Sequence, residues 1–369
     1  MNLHLVSFNV PFPPDYGGVM DVFYKLKALY SMGVKVHLHA YAYGRGAAHQ
    51  LNDVCARVSY YPRPLGFTKN LSSLPFIVKT RSSKALLEVL RKDNDPILLE
   101  GLHCTYPLYA GVLSGRRTIV RTHNIEHEYY DGLAASEPNP IRKAYFHIES
   151  YKLKRYEKVL TLAHGVAAIS PNDLNHFSTI NQQTVLVTPF HPFEAVDVRV
   201  GKGEYVLMHG DLSVPENILS VEWILRNVAG VSPYPFVIAG RNPTGSTVAL
   251  AAQYPNVEIV ANPNDQHLSE LINGAHINLI HSQFPQGFKL KLLHSLYRGR
   301  YCICSPSVVK NTGLSELCSL ATSADDYTSL IGMLMPVDFD TEQVSQREKL
   351  LLNFSNALQT KKIVESFQV

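Results

Sequence analysis

The feature that most constrains the fold is a repeated alternation of short apolar runs with amphipathic stretches, separated by loops rich in Gly and Pro. An apolar run at 3–10 opens the chain, a Pro/Gly loop leads to Gly18, an amphipathic stretch covers 19–32, and Gly33 ends it before a second run at 34–42. Further short runs follow at 55–61, 96–100, 118–123, 165–170 and 184–188. Strands that alternate with helices build a parallel sheet with helices on its faces. The pattern then restarts. Pro189 and Pro192, with the polar stretch to Gly203, read as a linker, and new strands are expected at 205–209, 235–239, 257–261, 276–280 and 301–304. The expected architecture is α/β, with two tandem Rossmann-like domains at 1–190 and 204–340. A closing helix is expected within 341–369, where Val344, Leu351, Leu352, Phe354 and Leu358 are apolar. Open parallel sheets bind ligands beyond the carboxyl ends of their strands, so two facing sheets would create an interdomain cleft.

Composition excludes several classes. Of 369 residues, 46% are apolar and 18% charged, which suits packed cores rather than disorder. Thirty-four Lys and Arg against 31 Asp and Glu leave +3, too small an imbalance for a nucleic-acid binder. The five cysteines, at 55, 104, 302, 304 and 318, form an odd and scattered set that points to a reducing, cytoplasmic setting. The start has no basic region and reaches three prolines by residue 14, unlike a signal peptide. No stretch reads as a membrane span.

Five segments could carry chemistry. Pro13-Pro14-Asp15-Tyr16-Gly17-Gly18 lies between strand and helix, where Gly17 and Gly18 permit close backbone approach to an anion. Arg121-Thr122-His123-Asn124-Ile125-Glu126-His127-Glu128 follows a strand, placing His123 to hydrogen-bond a phosphate or hydroxyl and move protons. His127 and Glu128 read as a solvated first helical turn capped by Asn124. His123 and His127 are four apart but lack the partners of a metal motif, so no metal ligand is assigned. The strongest segment is 285–296, where Gln286, Gly287, Phe288 and Lys289 precede a helix carrying Lys291 and His294. Two lysines at a helix start oppose the dipole, a conflict that a bound diphosphate would remove. Met208 to Asn217, with Gly210 as its turn glycine, and 311–316, with Ser315 and Glu316, are two further strand-to-helix junctions.

Residues 57–92 hold eight Lys or Arg and one acidic residue, Glu88, interleaved with Phe67, Leu71, Leu74, Phe76 and Ile77. That mixture could dock on an anionic membrane surface. Lys152, Lys154, Arg155 and Lys158 form a second basic stretch.

Taken together, these motifs resemble the GT-B glycosyltransferases, specifically the family-4-like group (glycosyl transferases group 1) of bacterial surface-polysaccharide enzymes, over essentially the whole chain. The resemblance implies a retaining, metal-independent hexosyltransferase that needs no cofactor and takes a nucleotide-diphosphate-sugar as co-substrate, with GDP-mannose as the working example. The second domain would hold the donor and the first a glycan or lipid-linked acceptor. It further implies that His123, Lys291 and Lys289 are catalytic, and that Gly17, Gly18, Gly210, Asn217, Gln286, Gly287, Phe288, His294, Ser315 and Glu316 bind the donor. Asn124 and Glu126 would lie on the acceptor side. Many members of the group carry a pair of glutamates where this chain has Gln286 and His294, and neither replacement supplies a negative charge. A nucleotide-sugar epimerase of the same fold and a catalytically lapsed sugar-nucleotide-binding protein are the alternatives. The protein would work in the cytoplasm, at the inner face of the membrane if the 57–92 segment docks there.

Overall fold

The computed structural model describes residues 1–66, 72–282, 287–310 and 312–368. The chain divides into two compact units, one formed by Met1–Pro192 with Asn353–Val369 and the other by Phe193–Leu352. Each is a parallel sheet with helices on both faces.

The first unit has seven strands: β1 (Asn2–Ser7), β2 (Lys35–Ala42), β3 (Arg57–Pro62), β4 (Ile97–Glu100), β5 (Thr118–Arg121), β6 (Gly165–Ala168) and β7 (Thr184–Leu186). Their order is β3-β2-β1-β4-β5-β6-β7, every pairing parallel. The central strand β1 is buried on both sides because its apolar residues serve two cores. Leu3 and Leu5 pack with Val22, Leu26 and Leu29 of the Gly17–Ser31 helix, whereas Val6 joins Tyr41, Leu99 and Val120 on the other face. The strand stops at Ser7 rather than at residue 10. There the Ser7 hydroxyl donates to Asn9 O at 2.6 Å and the Asn9 side chain accepts from Val10 N at 2.9 Å, so local side-chain bonds replace the ladder.

The second unit has β8 (Val206–Asp211), β9 (Phe236–Arg241), β10 (Val257–Ala261), β11 (Ile277–Ile280), β12 (Tyr301–Cys304) and β13 (Ser319–Leu320), ordered β10-β9-β8-β11-β12-β13. The two-residue β13 has no apolar run to announce it. In both units the strand order reverses beside the first strand, between β1 and β4 and between β8 and β11. Loops leaving adjacent strands diverge at such a point and open a crevice at the carboxyl ends.

The closing segment differs from the expected single helix. Thr341–Leu351 belongs to the second unit and starts with a capping box at Asp340 and Gln343. Asn356–Ser366 belongs to the first, where Ile363 and Phe367 join the core of Leu26 and Leu29. The intervening turn and the helix after it are pinned to the 188–191 segment: His191 Nε2 lies 2.9 Å from Phe354 O in the turn, and Thr188 N donates to Gln359 Oε1 of the helix at 3.0 Å. Phe193, expected within a linker, stacks on Tyr297 in the second unit. Among the described residues no helix is long and apolar enough to cross a membrane.

Most of the described apolar residues of the 57–92 segment face inward, while Leu65 is exposed. Arg57–Pro62 is β3, while Leu74, Ile77, Val78, Leu86 and Leu90 are buried in the core, and Phe76 is half-buried beneath the Arg63 guanidinium, 5.9 Å from its ring. Of the apolar residues expected to interleave with the cations, Leu74 and Ile77 thus serve the core. Phe67 and Leu71 lie outside the described residues.

Candidate functional site

At the β1/β4 crevice the first unit gathers a buried ionic network. The Lys25 ammonium donates to Asp21 Oδ2 at 2.9 Å and to both Glu100 oxygens at 2.7 and 2.9 Å. Arg121 donates to Asp21 at 3.1 Å, and Phe190 N caps the same carboxylate at 2.8 Å. Burial opposes the charge on Asp21, yet Arg121, Lys25 and His123 together hold its carboxyl well below the usual range. Burial likewise opposes ionisation of Glu100, and Lys25 and His123 overturn it.

His123 is the member of this network that reaches toward the loops. Its Nε2 lies 2.9 Å from Glu100 Oε2, its Nδ1 lies 3.9 Å from Asp21, and Phe8 meets its ring edge-on at 5.3 Å. Two carboxylates anchored by two cations therefore orient one imidazole. The glycine loop abuts the same aromatic, since a Cβ on Gly18 would stand 2.8 Å from the Phe8 ring. Gly17 is exposed at the first helical position, behind an N-cap, Tyr16, that makes no side-chain cap. Arg45 ties the loop down by pairing with Asp15 and donating to Pro13 O.

Asp21, Lys25 and Glu100 were not expected at the site, and Arg121 opened the His123 segment without a role of its own. Their signal was in the chain: an Asp–Lys pair four apart on a helix face otherwise filled by Val22, Leu26 and Leu29, and single charges ending the apolar strands Ile97–Glu100 and Thr118–Arg121.

The reading of the first turn after His123 needs correction. The N-cap of the Glu126–Ser136 helix is Ile125 and makes no side-chain cap, so Asn124 does not cap it. Glu128 is exposed, but His127 is buried and its Nδ1 lies 2.7 Å from Glu157. Glu126 is buried too. Burial and the neighbouring Glu157 push its carboxyl up to about 8, and its Oε1 has no hydrogen-bond partner although His103 Nδ1, also unpartnered, is 3.8 Å away. Burial thus biases Glu126 toward its protonated form, against a hydrogen bond from the Asn124 side chain that favours the carboxylate.

In the second unit the β8/β11 crevice collects the residues expected around the diphosphate. Lys289 is the N-cap of the Leu290–Arg298 helix and donates to Glu216 Oε1 at 2.6 Å, the same oxygen that accepts from the Ser282 hydroxyl at 2.6 Å. Lys291, in the first turn, donates to Asn217 Oδ1 at 2.9 Å, and the Asn217 amide in turn donates to Asp211 O at 2.9 Å. Gly210 lies under Asn217, 3.2 Å separating its would-be Cβ from the amide. Burial pushes the Lys291 ammonium down to about 8; Glu216 opposes that shift and Lys289 adds to it. Lys289 is matched by a carboxylate, whereas Lys291 is held by a neutral amide. His294 packs against Phe193 at 4.9 Å and meets His209 edge-on at 5.6 Å, and the Nε2 of each histidine lacks a partner. Glu216, Ser282 and His209 complete this corner and were not assigned to it from sequence.

Other expected residues stand apart or elsewhere. Gly287 is exposed with φ of 73°, a turn that favours glycine, and Phe288 is half-buried beside it. Ser315 and Glu316 sit exposed on a three-residue 3-10 turn. Among the described residues no side-chain hydrogen bond joins either to the lysine corner, and Glu316 lines a cavity with Tyr301, Gln343 and Arg347 instead. Gln286 lies outside the described residues.

No family model matches the chain. A curated relative, an uncharacterized 44.6 kDa protein in the cps region of Klebsiella pneumoniae, is 24% identical over 341 residues, covering 87% of each chain. Solved structures align along the whole length. Trehalose-6-phosphate synthase OtsA matches with a TM-score of 0.65 at 10% identity, covering 100% of this chain and 99% of its own. Anabaena Alr3699/HepE in complex with UDP and glucose matches at 0.63 and 13%, and the lipopolysaccharide outer core galactosyltransferase WaaB in its apo form at 0.63 and 12%, each with the same coverage. The chain has the GT-B fold. Within this GT-B chain both polar clusters stand at the strand-order reversals of their own sheets, the positions where such sheets bind ligands.

Proposed function

We propose that the protein is a glycosyltransferase that moves a sugar from a nucleotide-diphosphate donor to a glycan or lipid-linked acceptor in surface-polysaccharide assembly. The observation that carries this reading is Lys291, a buried ammonium facing a neutral amide at the start of a helix, beside two unpartnered imidazoles. A buried cation lacking a matched anion is costly, and a diphosphate supplies the missing charge while the helix start adds backbone donors. The relative from a cps region and the neighbour that binds UDP and glucose support both the setting and the donor class.

In the proposed reaction Lys291 neutralises the charge that develops on the leaving diphosphate, with Lys289 released to it from Glu216. Phe288 and the Gly287 backbone close over the donor, and His294 and His209 offer their free nitrogens to its hydroxyls. His123, aligned by Glu100, serves the acceptor, with Asn124 and Glu126 beside it. Transfer is of a hexose with retention and uses lysines in place of a divalent cation. The deciding experiment is a thermal-shift panel of nucleosides and nucleoside diphosphates followed by transfer assays with the best donor. A diphosphate at 100 times its dissociation constant should stabilise by ~2.7 kcal/mol, its nucleoside far less. Turnover of donor only with acceptor present, and unchanged when Mg²⁺ and Mn²⁺ are omitted, is expected. Conversion of the donor sugar without acceptor would identify an epimerase, and binding without any turnover a lapsed enzyme.

A further inference from the structure

Toward the amino ends of β1 and β2, away from the loops that carry His123, three imidazoles converge on one face of the sheet. His4 lies opposite His37 in the ladder, and His39 follows two residues later on the same face. Ring centroids are 4.0 Å apart for His37 and His39, and 5.1 Å for His4 with each of them. One nitrogen from each ring lies within 4.8 Å of those of the other two. The proposed transfer reaction has no use for this group.

We propose that His4, His37 and His39 form a binding site for a divalent transition-metal ion of the Zn²⁺ class. The outer nitrogens carry the argument. His4 Nε2 is held by both Asp93 oxygens at 3.1 Å, His39 Nδ1 by the Tyr61 hydroxyl at 2.9 Å, and His37 Nε2 by Ser59 Oγ at 3.0 Å. Each ring is therefore oriented from behind by a separate polar group, the arrangement that presents the second nitrogen to a metal. His4 Nδ1 and His39 Nε2 face each other at 2.8 Å, and Nδ1 is the donor His37 has left.

Without metal the protons run in one direction. Asp93 can only accept, so His4 Nε2 carries the proton; a neutral His4 then accepts at Nδ1 from His39 Nε2–H, and His39 Nδ1 accepts from the Tyr61 hydroxyl. Metal binding requires only that His39 move its proton from Nε2 to Nδ1, where the Tyr61 oxygen accepts it. The 2.8 Å gap must open by about half an ångström, because tetrahedral ligands at ~2.0–2.1 Å stand about 3.3 Å apart.

Burial, then the adjacent rings, pushes His39 down to about 2 and His37 to about 4, and burial outweighs Asp93 in lowering His4. The charged groups around them are Asp93 and Asp95, Arg116, which pairs with Asp93, and Arg57. His39 is fully buried and His37 half-buried, which places the fourth position and the entry path on the His37 side.

The test is titration of the full-length protein, freed of metal by a chelator, with Zn²⁺ in a calorimeter and with Co²⁺ by visible absorption. One equivalent of each should bind, Co²⁺ with the intense bands of a tetrahedral site, and Zn²⁺ should raise the melting temperature. His37→Ala, chosen because the position is half-exposed, should keep the circular dichroism of the parent and weaken binding at least about 100-fold, and Tyr61→Phe should weaken it about 10–100-fold. The exposed control His267→Ala should change nothing. Absence of stoichiometric binding overturns the proposal. Binding that survives His37→Ala but is lost in His127→Ala also overturns it, placing the metal on the His127, Glu157 and His176 group instead.

Discussion

Lys291 shows how a single residue can trade stability for a site. Its ammonium is buried beside a neutral amide, and burial holds it down to about 8 against an ordinary value near 10.5. The unfolded chain binds the extra proton between those values, so this residue makes the protein more stable as pH rises from about 8 to 10.5 and imposes its full cost below pH 8. Replacing it by Met should therefore stabilise the free protein by about 1 kcal/mol at pH 7, as apolar replacements of buried charges often do. The same change should weaken nucleoside-diphosphate binding at least tenfold; denaturant melts and calorimetry on one variant read both effects. Glu126 poses the opposite case. Its folded value of about 8 lies above the usual carboxylic one, so its stabilising contribution is complete in acid and is lost as pH rises toward and through 8. Glu126→Gln should melt at nearly the same temperature as the parent at pH 4 and at an increasingly higher one as pH is raised from 4.5 to 9.

At the scale of elements, the carboxyl ends of β8 and β9 are locked together by glycine. Gly240 pairs with Gly210, and a Cβ at 240 would stand 1.9 Å from Gly210 O and 2.8 Å from Leu212. Gly240→Ala must push β8 aside just where Gly210 supports Asn217, and Asn217 holds Lys291. A loss of about 2 kcal/mol or more in chemical unfolding, with weakened diphosphate binding, is expected. The elements themselves were legible: among the described residues twelve of the thirteen strands follow apolar runs, and the run is most continuous in strands such as Ile97–Glu100 and Ile277–Ile280, buried along their whole length. The exception is β13, whose Ser319 and Leu320 carry no pattern. In the 72–90 segment Lys79 and Lys84 lie on short helices whose Ile77, Val78, Leu86 and Leu90 point into the core, so cations and core residues share one stretch of sequence.

At the scale of the molecule, the end of the chain completes its beginning. The Asn356–Ser366 helix leaves the second unit's sequence and inserts Ile363 and Phe367 among Val22, Leu26 and Leu29. Ile363 is fully buried there, so Ile363→Ala should cost about 2–5 kcal/mol in equilibrium unfolding of the first unit, whereas a surface helix appended to the second unit would predict no such loss. Local pattern already determined the α/β class, the two parallel sheets, the glycine loop, the His123 loop and the lysine-bearing helix. These depend on periodicity and on turn residues within a few positions of each other. Only tertiary structure decided that Asp21, Lys25, Glu100 and Arg121 orient His123, that Glu216 occupies Lys289 while Asn217 leaves Lys291 unmatched, and that the last helix returns to the first sheet. Each of those outcomes joins residues from tens to hundreds of positions apart. Which charges meet in a buried network is set by strand order and register, and no short-range pattern encodes that.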